Sequence, residues 1–320
     1  LAINVTDVAD TNPDNTYYGT NGDHIITGSS LNDQIHSGGG NDVINAGYGY
    51  DTLVLPGNKS SYTIVTSGGL TKIYGTGTAP DDYMFKTIRT IELELIQFDD
   101  QKVSLVSSTS DTNPTDFIIV DNRLFSIPFM YTVDQQSSSN GRNDIIDFNG
   151  DNTTGSFDEA WDGGAGTDTM VYFANKSDFD IITVGGITKI KGQLTAPSEI
   201  LFQVVICLHI EKVAFFDQII SLDTTLPSGT IIWGDGFAET IYGTAGDDII
   251  DSAGGNDTID GSFGNDTLLL FGNRSNFSIT IDGSTVEIVG NTIEGAFWVD
   301  YFGDTITLTN VETIMFADQT

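Results

Sequence analysis

Acidic residues recur every nine positions from Glu239 through Asp248 and Asp257 to Asp266. The same frame runs near the start of the chain through His24, Asp33, Asp42 and Asp51. Two residues later in each repeat stands an aliphatic: Ile241, Ile250, Ile259 and Leu268 in one run, Ile26, Ile35, Ile44 and Leu53 in the other. Carboxylates stacked at such a period repel unless a cation lies between them. Calcium takes about six to eight oxygens near 2.3–2.6 Å, from carboxylates and backbone carbonyls alike. The pattern supplies both, so Ca2+ is the expected ligand. Magnesium fits less well because it demands octahedral geometry and keeps its waters. Zinc wants thiolates or imidazoles, and the chain has one cysteine and three histidines, His24, His36 and His209.

These acids need a backbone that returns to the same place. Glycines between them permit positive φ, so the chain turns tightly and exposes its carbonyls. A short strand follows each turn, and its alternation points the aliphatic inward. Two nonapeptides then make one full coil, so each acid aligns with the one eighteen residues on. Asp248 with Asp266, Glu239 with Asp257, and Asp33 with Asp51 are each predicted to hold a calcium. Imidazole is a poor calcium ligand, so the site where His24 opposes Asp42 is expected to be weak or to draw on Asp23. The expected carbonyl ligands are at Gly38, Gly40, Gly47, Gly49, Gly164, Gly166, Gly246, Gly255 and Gly264. In the middle of the chain only the segment ending at Asp168 keeps the pattern, with Glu159 nine residues earlier. Asp144 fits a frame broken by residues 148–153, so the middle roll is expected to hold about one ion or none.

A longer repeat encloses the short one. Asp51-Thr52-Leu53, running on to Asn58-Lys59-Ser60, recurs from Asp168 to Ser177 and from Asp266 to Ser275. Gly68-Gly69-Leu70-Thr71-Lys72-Ile73 matches Gly185-Gly186-Ile187-Thr188-Lys189-Ile190 and, loosely, Gly283 to Ile288. Each copy closes alike, at Leu93-Glu94, Ile210-Glu211 and Val311-Glu312. Turn clusters Asp10 to Pro13, Asp111 to Pro114 and Asp223 to Pro227 open the copies. The expected organisation is three modules at 1–110, 111–222 and 223–320. Their rolls lie at about 19–54, 140–171 and 234–269, and their sheets at 55–105, 172–222 and 270–320. Runs such as Tyr62 to Val65, Leu70 to Tyr74 and Phe277 to Ile281 read as strands, and no sustained helical period appears, so the fold class is all-β. The insert Phe117 to Tyr131 is expected to have no counterpart in the other copies, and either to fill the place of the degenerate roll or to contact a neighbouring subunit.

Composition narrows the partners. The chain of 320 residues has 45 acidic and 12 basic side chains, a formal net charge of −33. That excludes nucleic acid and anionic membrane as electrostatic partners. No apolar run approaches the roughly 20 residues that span a bilayer. Cys207, within Val204 to Leu208, reads as a small buried hydrophobe, and no intramolecular disulfide is possible. The chain opens on Leu1, and Ile3, Val5 and Val8 read as the last strand of a preceding module of a longer array.

The nonapeptide spacing resembles the RTX, or haemolysin-type, calcium-binding β-roll. The match is strong at 19–54 and 234–269 and weak in the middle. The flanking segments resemble those that follow β-rolls in large secreted RTX proteins. The resemblance implies export of an unfolded chain by type I secretion and folding outside the cell. Extracellular modules bind calcium at about 10⁻⁴ to 10⁻³ M, and binding energy then becomes folding energy.

Catalytic signatures are lacking. There is no H-E-x-x-H and no G-x-S-x-G in the sequence. The chain is therefore expected not to be an enzyme. Asn58, Asn175 and Asn273 fit a glycosylation sequon and read as turn residues. Trp298, Tyr301, Phe302, Phe125, Phe129 and Tyr131 offer a glycan surface but read as packing residues. The expected function is a calcium-rigidified structural or adhesive extracellular protein: an adhesin, surface layer or matrix filament at the cell surface or in the matrix. Its partners would be further modules or neighbouring copies of itself. The alternatives are a secretion-linked C-terminal region of a secreted enzyme, or a carbohydrate-binding accessory module.

Overall fold

A computed structural model describes residues 15–105, 115–120, 131–132, 143–147, 159–193, 195–196, 204–291, 301 and 303–319. The turn clusters Asp10 to Pro13 and Asp111 to Pro114, together with Ile3, Val5, Val8, Phe125, Phe129, Trp298 and Phe302, lie outside them. Among the described residues all regular structure is β apart from single 3₁₀ turns. Among these residues no helix is long and apolar enough to cross a membrane.

The strands form six sheets with one topology used three times. In the first copy one sheet runs Thr16–Tyr18 (β1), Gln34–His36 (β3), Thr52–Val54 (β5), Leu95–Gln97 (β9), Lys102–Ser104 (β10). Its companion runs Ile25–Thr27 (β2), Val43–Asn45 (β4), Thr87–Ile91 (β8), Leu70–Gly75 (β7), Tyr62–Ser67 (β6). The second copy has Thr115–Val120 (β11), Asn143–Asp147 (β13), Thr169–Val171 (β15), Lys212–Ala214 (β19), Ile219–Ser221 (β20) in one sheet. Its other sheet is Tyr131–Thr132 (β12), Glu159–Asp162 (β14), Val204–Leu208 (β18), Ile187–Gly192 (β17), Phe179–Val184 (β16). The third copy has Thr230–Trp233 (β21), Asp248–Asp251 (β23), Thr267–Leu270 (β25), Thr313–Phe316 (β29). Its partner sheet is Thr240–Tyr242 (β22), Thr258–Asp260 (β24), Thr305–Thr309 (β28), Thr285–Gly290 (β27), Phe277–Asp282 (β26).

Within each roll, successive strands therefore alternate between the two sheets, which is the winding of a parallel roll. The pitch is the expected one: Gln34 pairs with Thr52 and Ile25 with Val43, in parallel. The inward aliphatics stack between the sheets, with Ile35, Ile44 and Leu53 at 0% exposure, as are Ile250, Ile259 and Leu268. The sheets expected after each roll are continuous with it. β8 pairs in parallel with β4, and β9 with β5, so the downstream segment adds a further coil and hangs the β6–β7 hairpin on its edge.

The described ends of the insert, residues 117–120 and 131, do have structural counterparts in the other copies. β11 and β12 occupy the sheet positions of β1 and β2, pairing in parallel with β13 and β14. Ladder bonds join main chains, so the place in the sheet survives without the side-chain pattern.

The copies pack against one another through a recurring contact. Leu70 and Ile91 of the first share a buried cluster with Ile145, Val171 and Ala214 of the second. Val184, Ile187, Ile206 and Leu208 of the second share one with Ile249 and Leu269 of the third. At the first junction Lys72 Nζ lies 2.6 Å from Asp147 Oδ1 and 4.0 Å from the Phe173 ring centroid. At the second, Lys189 Nζ lies 2.8 Å from Asp251 Oδ2 and 4.1 Å from the Phe271 ring centroid. The two lysines hold the same place in the Gly-Gly-x-Thr-Lys-Ile motif, so both junctions use one clamp.

Candidate metal centre

Each roll turn is made by residues that tolerate or require left-handed backbone. Gly40 has φ +98° and Gly49 +134°, and a methyl on either would strike a carbonyl of the coil below, Gly22 O at 2.4 Å and Leu31 O at 2.5 Å. The carbonyls of successive turns are thus layered at the edge of the roll. Of the nine glycines predicted as carbonyl ligands, Gly38, Gly40, Gly47, Gly49, Gly164, Gly166, Gly255 and Gly264 have positive φ. Gly246 does not, but its carbonyl lies against Gly264 of the coil above.

The acid at the turn-to-strand junction is held by the main chain of its partner coil. Asp33 N–H donates to Asp51 Oδ1 at 2.8 Å, and Asp248 N–H to Asp266 Oδ1 at 2.9 Å. Glu239 N–H donates to Asp257 Oδ1 at 3.1 Å, and His24 N–H to Asp42 Oδ1 at 3.0 Å. All four pairs are eighteen residues apart, as the spacing predicts. Asp42, Asp51, Asp257 and Asp266 are at most 1% exposed, and each leaves a buried Oδ2 without a hydrogen-bond partner. A buried carboxylate oxygen in that state is costly unless something positive meets it.

Burial has the expected electrostatic effect. It pushes the Asp51 carboxyl up to about 7, against the Asp33 N–H bond and with help from Glu94, Asp33 and Glu92. Burial likewise raises Asp257 to about 6, with Glu239 and Asp304 adding repulsion against the hydrogen bonds it accepts. It raises Asp42 to about 6, opposed by hydrogen bonds from His24. Asp266 is raised by burial and by the charges of Asp248, Glu312 and Asp247, against the Asp248 N–H bond. These acids are destabilised as anions in the absence of a cation.

The remaining predicted residues fall as follows. His24 sits in the acid line with Nδ1 3.1 Å from Asp42 Oδ1. Asp23 is exposed and belongs to a second line one residue outward, accepting Asn41 N–H at 2.7 Å. Glu159 opens β14 at the position that Asp42 and Asp257 hold in the other copies. The stacking partner of Asp168 is Asp144, whose N–H donates to Asp168 Oδ1 at 2.7 Å across 24 residues. The coil there is six residues longer, and the acids still meet.

One set of acids escaped the nine-residue frame. Asp51 N–H donates to Glu94 Oε2 at 2.8 Å, Asp168 N–H to Glu211 Oε2 at 2.7 Å, and Asp266 N–H to Glu312 Oε2 at 2.8 Å. Each glutamate is the next member of its line, but a hairpin separates it from the previous acid by 43, 43 and 46 residues. The signal was present: Ile96, Val213 and Ile314 stand two residues after these glutamates, as the aliphatics do in the repeats.

The other candidates read as structure. Asn58, Asn175 and Asn273 each precede a single 3₁₀ turn. Cys207 is a buried free thiol, 3.8 Å from Met170 Sδ. Tyr301 is 4% exposed and packs on Phe277.

Among the described residues no three His, Cys, Asp or Glu side chains converge on one point. The acids follow one another in lines, the N–H of each donating to the carboxylate of the next, with turn carbonyls alongside. Two carboxylates with carbonyls suit a hard cation with many oxygen ligands, and not zinc. The orphaned Oδ2 atoms supply the negative charge such an ion neutralises. This arrangement defines a calcium-binding parallel β-roll. Residues 18–53 and 233–268 match the RTX calcium-binding nonapeptide repeat, in four copies. The chain therefore carries RTX repeats that bind calcium, a kind typical of secreted proteins. No curated protein matches the chain. A solved structure of the extracellular lipase LipA from Serratia marcescens matches at 13% identity with a TM-score of 0.17, over 95% of this chain and 39% of the lipase chain. At that score the likeness carries no argument, and this chain spans well under half of the lipase.

Proposed function

We propose that this chain is a structural, non-catalytic part of an extracellular adhesin, surface layer or matrix filament, and that it folds outside the cell as calcium binds. The observation that carries this reading is the repeated junction. A stack whose copies join through one Lys–Asp–Phe clamp transmits force along its length and can be extended by adding copies. Calcium stiffens each roll by neutralising the buried acids that line its edge. In such repeat stacks stability is a sum of unit terms and nearest-neighbour terms. Several ions are proposed for the first and third copies, with Asp33, Asp51, Asp248, Asp266, Glu239 and Asp257 as ligands.

The test is electron microscopy and small-angle scattering of the protein with calcium and after EGTA. A stiff particle that loosens on chelation, and that self-associates at raised concentration, supports the reading. A particle of unchanged shape in EGTA would sink it.

A further inference from the structure

The acids that close the second and third copies lie outside any nonapeptide, yet they reproduce the geometry of those inside. We propose that Glu211 and Glu312 complete two further calcium sites, one with Asp168 beside the Gly163 turn and one with Asp266 beside the Gly261 turn. The proposal rests on the calcium reading of the rolls given above.

Within the matched repeats, two oxygens crowd a turn glycine at Gly28 and at Gly243. A methyl placed on Gly28 would lie 2.0 Å from Ala46 O and 2.7 Å from Asp33 Oδ2. On Gly243 it would lie 2.1 Å from Gly261 O and 2.8 Å from Asp248 Oδ2. One oxygen is a carbonyl of the next coil, and the other is the carboxylate of the same coil.

The closing turns repeat this constellation. A methyl on Gly163 would meet His209 O at 2.1 Å and Asp168 Oδ2 at 2.7 Å. On Gly261 it would meet Asn310 O at 1.9 Å and Asp266 Oδ2 at 2.5 Å. His209 and Asn310 adopt φ of +46° and +53°, a left-handed turn made without glycine. The second carboxylate comes from Glu211 or Glu312, which accepts the N–H of the aspartate as the next acid does inside the repeats.

A separate observation points to a ligand. Asp266 is 1% exposed, and its buried Oδ2 lies against Gly261 with no hydrogen-bond partner. Only glycine fits at these two places, because a side chain would collide with those oxygens. In the first copy Ala46 stands there at 0% exposure, so a methyl is already present at that place. The proposal does not extend to that copy, which makes it an internal comparison.

The test counts calcium on the full chain by equilibrium dialysis with atomic emission, for wild type, Glu211→Gln, Glu312→Gln and Glu94→Gln. Glutamine keeps an oxygen to accept the aspartate N–H, so the fold is retained; circular dichroism in saturating calcium checks this. Glu211→Gln and Glu312→Gln are each expected to lose one ion, or to bind it at least about tenfold more weakly. Glu94→Gln is expected to lose none. Unchanged ion number and affinity in both Glu211→Gln and Glu312→Gln overturns the proposal while leaving the calcium reading intact. A wild type that binds no calcium overturns that reading instead. If either glutamine variant does not fold, Glu211→Asp and Glu312→Asp take its place. They keep the charge but draw it back by one methylene, and full ion number with unchanged affinity in both also overturns the proposal.

Discussion

Replacing Lys189 by methionine isolates the clamp between the second and third copies. Lys189 and Asp251 have side chains 1% exposed each, and the ion pair is 2.8 Å long. Removing the ammonium leaves a buried carboxylate whose remaining donors are Ala253 N–H at 3.1 Å and Tyr301 O–H at 3.4 Å. Breaking one side of a buried pair costs about 3–5 kcal/mol. The first junction provides the contrast. Asp147 there is shared by Lys72 at 2.6 Å and Arg89 at 2.8 Å, and both cations are partly exposed, at 14% and 13%. Lys72→Met leaves Arg89 in place and should cost only about 1–2 kcal/mol. The double variant Lys189→Met with Asp251→Asn removes both charges and should recover most of the loss. Urea unfolding in saturating calcium is followed by tryptophan fluorescence, since Trp161 packs in the core of the second copy and Trp233 against the core shared with the third. With a slope of about 2–3 kcal/mol per molar, Lys189→Met moves the midpoint down by about 1–2.5 M. A Lys189→Met midpoint within error of wild type would refute the reasoning. So would a Lys72→Met loss, measured by circular dichroism, as large as that of Lys189→Met.

Four further outcomes follow from the same geometry. Chelation removes about 2.7 kcal/mol for each site that was held at a hundred times its dissociation constant; calorimetry in EGTA is expected to show the matched rolls melting first. In EGTA the apo protein should lose stability as pH rises from about 4 to about 7. Asp42, Asp51 and Asp257 have carboxyls raised by burial to about 6, 7 and 6, so the unfolded chain ionises before the folded one does. Melting temperature against pH should show that fall in EGTA and not in calcium. Asp51→Asn should invert sign with conditions: at pH 8 it raises the melting temperature in EGTA by removing an unfavourable buried charge, and lowers it in calcium by removing a ligand. Gly68→Ala should open the first junction, because φ is +54° there and a methyl would sit 2.4 Å from Ala214 Cβ; hydrogen exchange in β15 and β19 would report it.

The nine-residue period told the local story on its own. The pitch of the coil, the inward stack of Ile35 and Leu53, and the pairing of Asp33 with Asp51 or Asp248 with Asp266 all follow from how far a turn and a short strand carry the backbone. That distance is set within a few residues, so spacing is enough to read it. The threefold repeat of the closing motifs was equally visible, and Lys72 and Lys189 stood out as matched. Their partners did not, because Asp147 and Asp251 become partners only when the face of one copy meets the next. Glu94, Glu211 and Glu312 were hidden for a related reason. A hairpin loops out of the coil before each, so proximity along the chain no longer measures proximity in the roll. Asp144 and Asp168 meet across a lengthened coil because parallel strand pairing, not residue count, brings them together. Sequence thus determined the coil and its chemistry, where neighbours in the chain are neighbours in space; tertiary structure decided where the acid line ends and how the copies lock, since both depend on surfaces that only packing brings face to face.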